Sequence, residues 1–163
     1  MKYCPRCASE LQDGLVDQKI RRVCTVECGF IDWNNPIPVV AAIIEYQDQV
    51  LLARNSAWPA GWFALITGFL EQGETPEQAV LREVEEEVGL RGRIESFVGN
   101  YAFMEQNQLL VVYHVVATGT IRLNHEIAEV KLQPASEVRP WRQGTGPALH
   151  DWLRARGEDP QFI

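Results

Sequence analysis

The chain has 163 residues, of which 46% are hydrophobic, and this suits one globular domain with a small appendage. The formal net charge of −7 argues against a protein that grips long nucleic acids by bulk electrostatics, because that requires a basic surface, whereas a small nucleotide remains compatible. No apolar run is long enough to cross a membrane and no secretory signal opens the chain, so we expect a cytoplasmic protein.

All four cysteines lie in the first 28 residues, as Cys4-Pro-Arg-Cys7 and Cys24-Thr-Val-Glu-Cys28. A polar stretch with a predicted turn at Asp13-Gly14 separates the pairs, an arrangement that resembles a zinc ribbon. Four thiolates give Zn²⁺ tetrahedral coordination, and the ion would replace the hydrophobic core that about 30 residues cannot build. Two disulfides are the alternative, but a chain without a secretory signal favours reduced thiols. We therefore expect a zinc ribbon at residues 1–34.

Asp32–Pro38 forms a polar, proline-containing joint, and we expect the second domain to occupy residues 35–163. Apolar runs bounded by polar turn residues predict six strands in this domain. The predicted strands are Val39–Tyr46, Gln49–Arg54, Trp62–Thr67, Ile94–Phe103, Leu109–Ala117 and Ile127–Leu132. Turns are predicted at Gln47-Asp48 and at Glu105–Asn107, and a closing helix is predicted at Thr145–Arg156.

Between the third and fourth predicted strands, the sequence specifies both ends of a helix. Thr75 suits the N-cap, Pro76 suits the first helical position, Gln78 completes a capping box and Gly89 can supply the left-handed stop. With this helix and the closing helix, the strands predict a mixed sheet between helices, which is an α/β/α sandwich.

Carboxylates flank the apolar stripe that Val80, Val84 and Val88 form on this helix. The stripe is edged by Glu83 and Glu87, and Glu86 lies just beyond. Like charges at these spacings repel by roughly 0.2–0.5 kcal/mol per pair, and partial burial raises the penalty. A hard divalent cation, Mg²⁺ or Mn²⁺, removes the conflict and can bridge substrate phosphates. The alternative is a solvated acidic face, which we expect for Glu85.

Gly68–Leu90 resembles the Nudix box, and every fixed position of that motif matches: glycine, five residues, glutamate, seven residues, then Arg-Glu-apolar-any-Glu-Glu-any-Gly-apolar. The resemblance implies the Nudix fold, in which Glu74 and Arg82 would brace the loop against the helix. It also implies the ligands of the divalent ions, which would be Glu83, Glu86, Glu87 and the Gly68 carbonyl.

The resemblance covers nearly the whole chain, because zinc-ribbon Nudix hydrolases share the order of ribbon, Asn-Pro joint, strand and box. It implies a hydrolase that cleaves the diphosphate of a nucleoside diphosphate linked to another moiety, with FAD or ADP-ribose favoured. Members that cleave NADH or caps on RNA are the alternative. They carry a Ser-Gln-Pro-Trp-Pro-Phe-Pro-like motif after the box, whereas Ser96–Tyr101 contains neither proline nor tryptophan. A proline that many ADP-ribose enzymes carry beyond the box is also missing, since Glu105 stands there.

Hydrolysis needs a further carboxylate as base, because the box glutamates are committed to cations. The loop before the last strand offers two such residues, Glu126 and Glu129, and each is otherwise a surface glutamate; Glu105 is a third candidate. We expect His114, inside an apolar strand, to be a core histidine with a hydrogen-bond partner.

Four residues are candidates for contacts to the nucleotide. An aromatic base could stack on Phe69, Tyr101 or Phe103, although aromatic residues in strands are usually part of the core. Arg54, at the end of a strand, could reach a phosphate, and the alternative is an ion pair.

Two hypotheses of another class stay open. The chain could be a non-catalytic nucleotide sensor in which the ribbon contacts nucleic acid or protein, but an intact set of metal-binding carboxylates argues against it. The ribbon could also join two chains in a homodimer, which is compatible with catalysis.

Overall fold

The computed structural model describes residues 1–26 and 28–163. The chain forms two compact units, Met1–Asn35 and Pro36–Ile163. None of the helices in the described part of the chain combines the length and apolar character that crossing a bilayer requires.

The first unit is a three-stranded antiparallel sheet in the order β1-β2-β3. Its strands are β1 Leu11–Val16, β2 Lys19–Cys24 and β3 Ile31–Asp32. The core of the unit is small, because it consists of buried Cys4, Leu11 and Cys24 with Cys28 and Phe30 packed against them. Three of these five core residues are cysteines, so little of the core is purely hydrocarbon.

The four sulfur atoms of this unit converge. The Sγ atoms of Cys4 and Cys28 are 3.4 Å apart, as are those of Cys7 and Cys24. All four lie within 4.8 Å of one another. These separations exceed a disulfide bond of about 2.05 Å and approach the sulfur–sulfur edge of about 3.8 Å that Zn–S bonds of about 2.3 Å give in a tetrahedron. The geometry favours a shared ion over two disulfides.

The turn predicted at Asp13-Gly14 is wrong, because both residues lie inside β1. The hairpin turns instead at Asp17 and Gln18, where φ is 48° and 62°. Two successive residues with positive φ match the twist of paired strands. Gly14 serves a close approach between strands, since a Cβ atom there would lie 2.7 Å from Cγ2 of Val23.

The second unit is a six-stranded mixed sheet with one helix on each face, which confirms the predicted α/β/α sandwich. Its elements are β4 Ile37–Tyr46, β5 Gln49–Asn55, β6 Ile66–Phe69, α1 Pro76–Val88, β7 Arg91–Phe103, β8 Gln108–Thr118, β9 Ile127–Gln133 and α2 Gly146–Ala155. The strand order is β7-β8-β4-β5-β9, and β6 also pairs with β4. Strands β4 and β8 are parallel, and the other pairs are antiparallel.

Two apolar cores lie on opposite faces of this sheet, because side chains alternate along its strands. On one face, Val40, Ala42 and Ile44 of β4 pack with α1. On the other face, Ala41 and Ile43 pack with α2. The predicted stripe of α1 is fully confirmed, since its three valines are at most 1% exposed.

Both predicted ends of α1 are confirmed. The Gln78 backbone N–H donates to Thr75 Oγ1 at 3.3 Å, and the Thr75 N–H donates to Gln78 Oε1 at 2.8 Å, which completes the capping box. At the other end, Gly89 has φ of 68° and its N–H donates to the Glu85 carbonyl at 2.9 Å. Local signals therefore set the register of every side chain on α1.

The strand predicted at Trp62–Thr67 begins only at Ile66. Before it, Ala64 forms a single bridge with Ala53, and Trp62 is 66% exposed in a turn. The strand is short because one edge of β4 is shared. The first part of that edge pairs with β6, and the last part pairs with β5.

We expect Gly89→Ala to destabilise the second unit by roughly 2–3 kcal/mol. A left-handed alanine costs roughly 1–2 kcal/mol by itself, and here its Cβ would also lie 2.9 Å from Cβ of Arg122. Gly157→Ala is the matched control, because Gly157 has φ of 85° but open space around it. This variant should lose only the stability that corresponds to the left-handed backbone conformation. Urea denaturation measures both losses. Equal losses would contradict the tight contact at Gly89.

Candidate active site

A cavity of about 370 Å³ lies beside α1 in the second unit. Among the described residues, its charged lining consists of five glutamates and one arginine: Glu71, Glu83, Glu86, Glu87, Glu126 and Arg82. The three box glutamates thus share one cavity with Glu126. One guanidinium cannot balance this many acidic side chains, so the cavity favours cations.

Glu87 is the most strongly perturbed of these groups. It is only 8% exposed, and burial, with smaller contributions from Glu83, Glu126 and Glu86, raises its pKa to about 8. Burial also raises the pKa of Glu83, although Arg82 opposes this. Burial and mutual repulsion destabilise the anionic form of these carboxylates, and a bound cation would relieve both. A hard divalent cation suits the site because all the ligand atoms that the carboxylates offer are oxygens.

Arg82 joins the loop to α1. Its Nη2 donates to Glu74 Oε1 at 2.8 Å and to the Phe69 carbonyl at 3.2 Å. Its Nη1 donates to Glu83 at 2.7 Å and to Glu86 at 3.1 Å. Hydrogen bonding to Arg82 lowers the pKa of Glu74, which stays ionised. This is the bracing contact that the resemblance implies.

Gly68 is required by the position of Glu83. Gly68 lies on β6 opposite Val40. A Cβ atom at Gly68 would overlap Cδ and Oε1 of Glu83. Any side chain at this position would therefore displace the carboxylate of Glu83 from the cavity.

The two base candidates in the loop before the last strand have different surroundings, and the third candidate, Glu105, is not part of the described lining. Glu126 lines the cavity, and its charge contributes to the raised pKa values of Glu83 and Glu87. Glu129 is not part of the described lining. Its Oε1 accepts a hydrogen bond from Arg54 Nε at 2.6 Å. The structure therefore brings Glu126, and not Glu129, to the box glutamates, and it gives Arg54 the ion pair that was the alternative to a phosphate contact.

Of the three aromatic candidates, only Phe69 lines the cavity, where it is 59% exposed. Tyr101 and Phe103 pack against the core on the α2 side. Tyr101 also donates a hydrogen bond from Oη to Asp151 Oδ2 at 3.0 Å. The structure does not bring these two rings into the acidic cavity.

Sequence reasoning missed four residues of the lining, which are Glu71, Val39, Thr67 and Gln108. Gln108 was detectable in part, since a polar residue directly after the predicted turn at Glu105–Asn107 begins the strand that pairs with β4. Val39 and Thr67 have ordinary strand character and give no sequence signal, and Glu71 is a polar loop residue like many others.

The prediction for His114 is confirmed. It is 6% exposed, its Nε2 lies 3.1 Å from Glu45 Oε2, and its ring packs 5.0 Å from that of Trp152. Burial lowers its pKa. The same Glu45 oxygen accepts a hydrogen bond from Arg156 at 3.1 Å, so His114 belongs to a structural network between β4, β8 and the end of α2.

Known proteins are similar to this chain in both sequence and fold. The model of the NUDIX domain matches residues 35–153. The NAD-capped RNA hydrolase NudC of Mycobacterium tuberculosis is 34% identical over 120 residues, which are 72% of this chain and 37% of that protein. The chain thus spans little more than a third of that relative's length.

Solved structures agree with the sequence matches. A NUDIX hydrolase from Nitrosomonas europaea matches 100% of this chain and 97% of its own, with a TM-score of 0.79 and 26% identity. An ADP-ribose pyrophosphatase from Streptococcus suis shares the fold over 79% of this chain and 100% of its own, with a TM-score of 0.62 and 20% identity. With its complete box and its matching domain, this chain belongs to the NUDIX family.

Proposed function

We propose that this chain is a divalent-metal-dependent hydrolase that cleaves the diphosphate of a nucleoside diphosphate linked to another moiety. The observation that carries the proposal is the cavity in which buried Glu87 shares space with Glu83, Glu86 and Glu126. A structural acidic face would be solvated, as Glu85 is. Carboxylates that are instead gathered in a cavity suit metal-assisted hydrolysis.

We propose that Glu83, Glu86 and Glu87 hold Mg²⁺ or Mn²⁺, with the Gly68 carbonyl as a further ligand. When bound, such an ion neutralises phosphate oxygens and makes a water molecule easier to deprotonate. Gly68 supports this role because its missing side chain leaves room for Glu83. Arg82 is engaged by Glu74, Glu83 and Glu86, so we assign it to bracing rather than to substrate binding.

The reaction needs a proton acceptor, and we propose Glu126 for this role. Water attacks one phosphorus, the bond from that phosphorus to the bridging oxygen breaks, and the carboxylate of Glu126 takes the proton of the water. The position of Glu126 in the cavity supports this assignment. Glu129 is less suited to this role, because its carboxylate is paired with Arg54.

For the substrate, we propose an adenosine diphosphate joined to a second group, with FAD and ADP-ribose as the first candidates. The similarity to the NAD-capped RNA hydrolase NudC of Mycobacterium tuberculosis favours a second candidate, an NAD-type dinucleotide, free or as a cap on RNA. All of these share the same diphosphate linkage. Phe69 is the one aromatic candidate that the structure brings to the cavity, where it could contact a base.

We propose further that Cys4, Cys7, Cys24 and Cys28 bind a structural Zn²⁺. Their sulfur atoms are close enough to share one ion, and the unit has few other buried groups. A homodimer joined through this unit stays a hypothesis.

Glu83→Gln and Glu87→Gln should each lower kcat by at least roughly a hundredfold, since even indirect partners of metal ligands change activity by 10–100-fold. The test incubates the zinc-loaded protein and Mg²⁺ or Mn²⁺ with FAD, ADP-ribose, NADH and NAD-capped RNA in separate reactions. Chromatography then identifies the mononucleotide products. Glu85→Gln, an exposed change on the same helix, should leave turnover unchanged. Full activity in both cavity variants would sink the proposal.

Without added divalent ions, the second unit should be less stable at about pH 9 than at about pH 6. The folded-state pKa of Glu87 is about 8, above the usual value of about 4.3 that applies to the unfolded chain. A carboxyl group whose pKa is raised by folding contributes its full stabilisation below about pH 4.3, and this contribution is lost as the pH rises through 8. Thermal melts should show a smaller decline for Glu87→Gln, whereas Glu85→Gln should behave like the wild type. Identical declines in the wild type and Glu87→Gln would contradict this assignment.

Elemental analysis should find a single Zn²⁺ per chain. Removing it with a strong chelator should unfold the first unit, because the ion replaces most of its core. All four thiols should then react rapidly with a thiol reagent. Light scattering before and after chelation shows whether the same unit joins two chains. Slow thiol reaction in zinc-free protein would contradict the proposed zinc site.

A further inference from the structure

Glu126 lies in a cavity whose other carboxylates repel it. Its charge interacts unfavourably with Glu83 and Glu87, and the residue itself is exposed on a loop. Such repulsion favours a Glu126 side chain that points to solvent, and a mobile backbone would let the carboxylate move still farther from the cavity. Hydrogen bonds that fix the backbone of this loop therefore help to keep Glu126 near the cavity.

We propose that Asn124 is a positioning residue that holds Glu126 against the metal-binding carboxylates. Its Oδ1 accepts the backbone N–H of Glu126 at 2.9 Å and that of Ile127 at 3.3 Å. An asparagine that bonds its own chain two residues on forms a local turn. This inference rests on the proposed function, in which Glu126 accepts the proton of the attacking water.

The turn is attached to the helix that carries the other carboxylates. The Asn124 backbone N–H donates to the Glu87 carbonyl at 3.1 Å, and the Arg122 N–H donates to the Val88 carbonyl at 2.9 Å. Carbonyls at the end of a helix need such partners, because they have none within the helix. Asn124 therefore links Glu126 through its side chain to Glu87 through its backbone.

The opposite side of Glu126 is also fixed. Its carbonyl accepts the Ser56 N–H at 2.7 Å. Just beyond, a bulge between β5 and β9 leaves Ala128 as an extra residue. Ile127 and Val130 pack into the same core although they are three residues apart, which a regular strand does not allow. The bulge lets Ile127 pack into the core directly after Glu126. The backbone of Glu126 is therefore held by this packing, by the Ser56 hydrogen bond and by the turn of Asn124.

The experiment compares Asn124→Ala with Asn124→Ser, whose hydroxyl can form the same local turn. Asn124→Ala should lower kcat by roughly ten- to hundredfold, as small misplacements of reacting groups do, with little change in KM. Asn124→Ser should recover most of the loss. In a Glu126→Gln background, Asn124→Ala should have no further effect, because a residue that acts only through Glu126 has nothing left to position.

Amide hydrogen exchange supplies a measurement that does not depend on activity. The Glu126 amide should exchange roughly fivefold faster or more in Asn124→Ala, as expected for the loss of one hydrogen bond, while the core amides of β4 and β8 keep their protection. Unchanged exchange of this amide would overturn the proposal, and so would an equal loss of kcat in the presence and absence of Glu126. A wild type that cleaves none of the substrates would instead count against the proposed function, and the exchange result would still decide whether Asn124 holds the loop.

Discussion

Repulsion among carboxylates at one side of α1 is the constraint on which the arrangement of the second unit depends. Buried Glu87 is close enough to Glu83, Glu86 and Glu126 for each to disfavour its ionisation. Such an arrangement persists only if the surrounding structure fixes it. The capped ends of α1, the bare backbone of Gly68 and the guanidinium of Arg82 fix it from three sides. The sheet supplies the rigid support, because its α1-side core buries the whole valine stripe.

Features that depend on neighbours along the chain were predictable from sequence. The ends of α1 follow from Thr75, Pro76, Gln78 and Gly89, whose effects are confined to one helical turn, and the valine stripe follows from helical periodicity. The box glutamates could be placed on one helix face for the same reason. Their meeting with Glu126 in one cavity depends on a loop that is about 40 residues distant along the chain, and periodicity carries no information about it.

Features that depend on neighbours across the sheet were not predictable. Gly14 looked like a turn residue because glycine usually is one, but its role is set by Val23 on the next strand. The strand at Trp62 was predicted too long because the sequence does not show that β5 and β6 share one edge of β4. From sequence, Arg54 and Glu129 were each candidate site residues. The register of β5 and β9 places them opposite each other, where they form an ion pair.

The engagement of Arg82 with Glu83 and Glu86 gives the cavity a resident positive charge. A divalent ion bound by Glu83 and Glu86 would compete with Arg82 for their oxygens, while the hydrogen bonds of Arg82 to Glu74 and the Phe69 carbonyl would remain. The cysteine unit has no comparable substitute among its described core residues, since thiols make up most of its centre. The two ions would therefore differ in role: the divalent ion would take over contacts that Arg82 already makes to Glu83 and Glu86, whereas the zinc ion would supply the centre of the first unit.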